Sequence, residues 1–86
     1  MTAAKTQTTL HALPLGTTAA VVQVRGNKMT RRRLLDMGLV TGESVTIHRV
    51  APMGDPIDVI VKGYHLSLRK HEAEQITVEV RHATEQ

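Results

Sequence analysis

The sequence predicts a mainly β fold: a small, partly open barrel of about five strands with one short helix. Three observations carry this. Apolar residues recur at every second position in several short stretches, the period of a strand with one buried face. Glycine and proline punctuate those stretches at short intervals. Only the segment around residues 28–37 has apolar residues at helical spacing. In 86 residues, short strands with one apolar face each must close on one another to bury it.

The elements follow in order. Residues 1–9 are polar and are expected to form a disordered tail, with the domain over 10–81 and a second tail over 82–86. Leu10, Leu13 and Leu15 make an apolar entry broken by Pro14 and Gly16. Ala20, Val22 and Val24 alternate with Val21 and Gln23 as a strand ending near Gly26. Asn27 or Thr30 can cap the helix that follows. Leu34 and Met37 share one face of it, with Leu35 beside them. Gly38 then stands where helices commonly end in the left-handed conformation. A helix this short is marginal alone and must pack its apolar face on the sheet, which turns its arginines outward.

Val45 and Ile47 alternate with Ser44, Thr46 and His48. The alternation slips before Val50, the mark of a bulge or bend. Pro52, Gly54 and Pro56 mark a tight loop. Ile57, Val59 and Val61 alternate with Asp58, Ile60 and Lys62. Gly63-Tyr64 suits a two-residue type II′ turn, which would pair Val61 with Leu66, Val59 with Leu68 and Asp58 with Arg69. A short helical turn over 70–75 leads to a last strand at Ile76, Val78 and Val80. Gly16, Gly38, Gly42, Gly54 and Gly63 each have a turn or cap reading.

Composition excludes several functions. With no cysteine, zinc fingers, zinc ribbons and redox CxxC modules are ruled out. Tyr64 is the one aromatic residue, too few for a proline-rich-peptide groove or a single-stranded nucleic-acid platform. The net charge is +3, but Arg25, Lys28, Arg31, Arg32 and Arg33 are clustered without an intervening acid, and the rest of the chain carries more acids than bases. The basicity is thus one short segment, not a nucleic-acid-binding stripe. No apolar run is long enough to span a bilayer, and the first nine residues lack the apolar core of an export signal. A cytoplasmic protein is expected.

Motifs for catalysis are missing. Ser44 and Ser67 lack nucleophile-elbow glycines, and there is no phosphate-cradling GxxxxGK[ST], so no enzymatic activity is expected. His11, His48, His65, His71 and His82 show neither i,i+2 nor i,i+4 ligand spacing, so no metal ligands are assigned. A barrel core has no use for three consecutive arginines or for an apolar Met53 at a loop tip. Arg31, Arg32 and Arg33, with Met53 and Asp55 of the Pro52–Pro56 loop, are therefore the candidate partner surface.

The string Arg33-Leu34-Leu35-Asp36-Met37-Gly38-Leu39, followed by Thr41-Gly42, resembles the helix and turn of FeoA proteins, small cytosolic components of bacterial ferrous iron uptake. Ala51-Pro52-Met53-Gly54-Asp55-Pro56-Ile57 resembles the family's loop between its second and third strands. Leu66-Ser67-Leu68-Arg69, Glu72-Ala73 and Ile76 resemble its final hairpin and turn. The resemblance runs from about Thr9 to Val80. It implies an SH3-like barrel whose framework includes Gly16, Leu34, Met37, Gly38, Gly42, Pro52, Gly54, Leu68 and Ile76. It also implies a non-enzymatic role assisting the membrane GTP-hydrolysing iron permease, FeoB, through that permease's cytosolic region. Contact with the membrane would be only through this partner, and no nucleic acid is expected to bind. No resident cofactor is expected; a transition-metal ion such as Fe2+ is the one group the resemblance leaves open, and oligomeric state is left open too. A similar domain ends the metal-responsive repressors of the DtxR type, which makes a metal-sensing regulatory domain the alternative. A start at Met1 with no DNA-binding segment upstream favours the standalone accessory.

Overall fold

The computed structural model describes residues 4–82. Six strands form one antiparallel sheet: β1 (Ala4–Thr9), β2 (Thr18–Val24), β3 (Ser44–Val50), β4 (Ile57–Val61), β5 (Tyr64–Leu68) and β6 (Ile76–His82). Helix α1 (Lys28–Asp36) joins β2 to β3, and the short α2 (Lys70–Ala73) joins β5 to β6. The spatial order is β1-β6-β2-β3-β4-β5. Among the described residues the edges β1 and β5 do not pair with each other, so the barrel is partly open. Strands β2 to β6 give residues to one core: Ala19 and Val21, Val45 and Ile47, Ile57, Val59 and Val61, Leu68, Ile76 and Val78 are all buried. Leu10, Leu34 and Leu39 close it, each 0% exposed.

The mainly β class and the helix near 28–37 are as expected, and four details differ. Ala4–Thr9 is a strand, not a tail: it pairs with β6 from Ala4↔His82 to Thr9↔Thr77. Its lack of apolar alternation hid it. An edge strand is held mainly by backbone pairing, and threonine suits the pleated surface. Strands thus run past 10–81 at both ends, to Ala4 and His82, while residues 1–3 and 83–86 of the expected tails lie outside the described residues.

In β2 the residues facing the core are Ala19, Val21 and Val24, not an unbroken alternation, because a register shift against β6 falls between Val21 and Gln23. Leu15, expected in the apolar entry, is 66% exposed, whereas Leu10 and Leu13 are buried.

The β4–β5 hairpin turns one residue earlier than the sequence suggests. Lys62 and Gly63 have φ of 52° and 83°, the two left-handed residues of a type I′ turn. Val61 therefore pairs with Tyr64, Val59 with Leu66 and Asp58 with Ser67. The slip in β3 is as read: its register against β4 shifts between Ile47 and Arg49.

Helix α1 begins at Asn27, whose Oδ1 accepts the Thr30 backbone N–H at 2.8 Å, which settles the choice of cap. Its end is a Schellman motif. Leu39 N–H donates to Leu34 O and Gly38 N–H to Leu35 O, Gly38 has φ of 101°, and the paired Leu34 and Leu39 side chains are both buried.

Candidate functional site

Two surface regions carry chemistry. The first is built on α1, α2 and the loop between β3 and β4. Arg31, Arg32 and Arg33 are all exposed, but they are not equivalent. Arg31 Nε donates to the Val24 carbonyl at 3.2 Å. Arg33 pairs with Glu72, whose carboxylate is 3% exposed and also accepts the Arg69 backbone N–H at 2.8 Å. Arg32 has neither duty. Met29, not singled out by the sequence reading, is 82% exposed in the first turn of α1. Positions three and four apart share a helix face, so Met29 lies beside Arg32 and Arg33. Its spacing of five from buried Leu34 was the signal that it is off the core stripe.

The loop is closed by backbone bonds from Gly54 N–H to Ala51 O (2.7 Å) and from Ala51 N–H to Pro56 O (3.1 Å). Met53 projects from its tip, 90% exposed. Asp55 is tied to the scaffold: its Oδ1 accepts the Lys70 backbone N–H at 3.0 Å and lies 3.7 Å from Arg69 Nη1. Asp55 and Arg33 thus hold the two sides of the same four-residue helix, and α2 joins the basic helix to the loop. The framework residues sit as follows: Leu34, Leu68 and Ile76 in the core, Met37 packed against it, and Gly16, Gly42 and Gly54 with positive φ in turns. Pro52 is exposed on the loop.

The second region is the outward face of β3, β4 and β5, where His48, Asp58 and His65 converge. One ligand atom from each lies within 4.8 Å of the others. His65 Nδ1 is 3.3 Å from both carboxylate oxygens of Asp58. The two imidazole rings meet edge to face, with centroids 4.7 Å apart and an interplanar angle of 77°. Spacing rules within a single strand could not find this cluster, because each strand contributes one member. Among the described residues no helix is long and apolar enough to cross a membrane.

The chain is similar to known proteins in sequence and in fold. Residues 8–80 match the profile of the FeoA domain. A curated relative from Porphyromonas gingivalis, an Fe(2+) transport protein A/Fe(2+) transporter FeoB fusion protein, is 38% identical over 71 residues, covering 83% of this chain and 8% of its own length. The chain therefore spans a small part of that relative. The solution structure of the FeoA protein from Chlorobium tepidum is 43% identical and superposes with a TM-score of 0.82, over 90% of this chain and 73% of that one. Stenotrophomonas maltophilia FeoA complexed with zinc, a prokaryotic SH3 domain protein, is 36% identical with a TM-score of 0.74, over 87% and 98% of the two chains.

Proposed function

Since this chain belongs to the FeoA family, with an SH3-like barrel and a link to ferrous iron transport, we propose that it is a non-enzymatic cytosolic accessory that docks on the cytosolic region of the permease FeoB. The observation that carries this reading is the fusion relative, in which a segment similar to this chain shares one polypeptide with FeoB. Covalent linkage holds two modules at an effective concentration in the millimolar range for short flexible linkers. A separate chain must supply that proximity by affinity, and so needs a recognition surface.

The surface fitted to this is the α1–loop face. Arg32 and Arg31 supply long-range charge that raises the association rate. Met29 and Met53 supply flexible apolar contact. Arg33 and Asp55 fix the relative placement of the two halves through α2. Iron is the permease's cargo in this scheme, and the chain performs no chemistry on it.

Affinity capture from host membranes with the tagged full chain tests the proposal. FeoB should be retained by the parent chain and reduced with Arg32→Glu. Failure of the folded parent chain to retain FeoB under mild detergent would contradict docking.

A further inference from the structure

The outward face of β3, β4 and β5 holds a donor set that the docking surface does not use. We propose that His48, Asp58 and His65 form a binding site for one divalent first-row transition-metal ion. The fold brings them together through register. His65 faces Ile60 across the β4–β5 ladder and Asp58 faces Ser67, so His65 and Asp58 are diagonal neighbours on one face, within reach of long side chains. On the other side, the register passes from Ile47↔Val59 to Arg49↔Asp58, leaving His48 as the extra residue of the bulge. A bulge commonly re-aims a side chain, and here it sets an imidazole beside the carboxylate.

The spacing suits one ion. At metal–ligand distances of about 2.0–2.2 Å, two donors on the same ion stand roughly 3–4 Å apart. The Asp58–His65 separation is already 3.3 Å, and the third donor lies within 4.8 Å, close to the spacing that one ion requires. Two imidazoles and one carboxylate favour Zn2+, Fe2+ or Co2+ over Mg2+ or Ca2+, which prefer oxygen-only shells. His48 and His65 are exposed and Asp58 is half-buried, so water can complete the coordination. A bound ion would clamp edge strand β5 and the β3 bulge to β4, and so would stabilise the native state.

The experiment uses the full chain, stripped with chelator and titrated by calorimetry with Zn2+, in parallel with Co2+ monitored by amide NMR. The expected result is one Zn2+ per chain, a melting temperature that rises with Zn2+ concentration, and Co2+ broadening centred on residues 48, 58 and 65. His48→Ala, His65→Ala and Asp58→Asn should each weaken Zn2+ by about tenfold or more and remove the thermal shift, whereas His71→Ala should bind as the parent does. The NMR readout needs no variant and so stands even if a substitution perturbs folding. Broadening centred on His71 or His11, an unchanged affinity in His65→Ala, or Mg2+ binding as tight as Zn2+ would each overturn the assignment. Because none of these readouts involves FeoB, the site and the docking surface fail or stand separately.

Discussion

Gly38 is where one residue carries the most structure. Its φ of 101° closes α1, and a Cβ there would stand 3.1 Å from the Tyr64 hydroxyl and 3.2 Å from Lys62 Cε. Gly38→Val should therefore cost about 1–3 kcal/mol, read as a lower urea midpoint at unchanged slope; an unchanged midpoint would mean that the helix tolerates another ending. Tyr64 reinforces the same junction, its hydroxyl donating to the Met37 carbonyl at 2.5 Å, one of the helix's otherwise unpaired acceptors. Tyr64→Phe should lose roughly 0.5–1.5 kcal/mol. Beside it, the Lys62 ammonium is held above the usual lysine range, first by its hydrogen bond to Glu43 and then by that carboxylate's charge. A raised folded-state pKa contributes stability that is complete at neutral pH and lost as pH rises through that value. Lys62→Met should thus lose alkaline sensitivity near and above pH 10.5, an effect that salt should screen because the pair is at the surface. Gly38 and its left-handed role were legible from the sequence, since the apolar spacing ends one residue before it. The tyrosine contact was not, because it joins residues 27 positions apart.

At the scale of elements, the β4–β5 hairpin shows what alternation can and cannot decide. Moving the turn from Gly63-Tyr64 to Lys62-Gly63 changes every partner but leaves Val59 and Val61 facing inward, together with Leu66 and Leu68. A shift that preserves the face is invisible to hydrophobic patterning. The turn type and the Tyr64–Met37 contact select between the two registers. The consequence reaches the surface: Asp58 meets His65 instead of Arg69, and Arg69 turns to Asp55. The basic helix likewise divides once its neighbours are known. Arg33 and buried Glu72 tie α1 to α2. Removing Arg33 leaves a buried carboxylate short of a partner, and the exposure of Arg33 moderates the loss; Arg33→Ala should cost about 1–3 kcal/mol. Arg32→Ala should fall within about 0.5 kcal/mol of the parent. Equal melting temperatures for the two variants would remove the assigned structural duty of Arg33.

For the whole molecule, the barrel class and the turn positions could be read from period and punctuation, because burial of one strand face imposes them locally. The polar edge strand β1 could not, since backbone pairing to β6 needs no apolar signal. Residues without a core use could be read as surface candidates, and of these Arg32 and Met53 are exposed. That reading missed Met29 and the His48–Asp58–His65 cluster, whose members meet only through the sheet. At this scale the proposed function is that of a module docking on FeoB through the α1–loop face. Calorimetric titration of the full chain against the isolated cytosolic region of FeoB tests it most directly, with circular dichroism confirming that each variant is folded. Saturable binding is predicted, weakened about tenfold or more, or ~1.4 kcal/mol, by both Arg32→Glu and Met53→Asp. The Arg32 effect should shrink at high salt and the Met53 effect should persist. No binding by the folded parent chain, or undiminished binding by both folded variants, would contradict it.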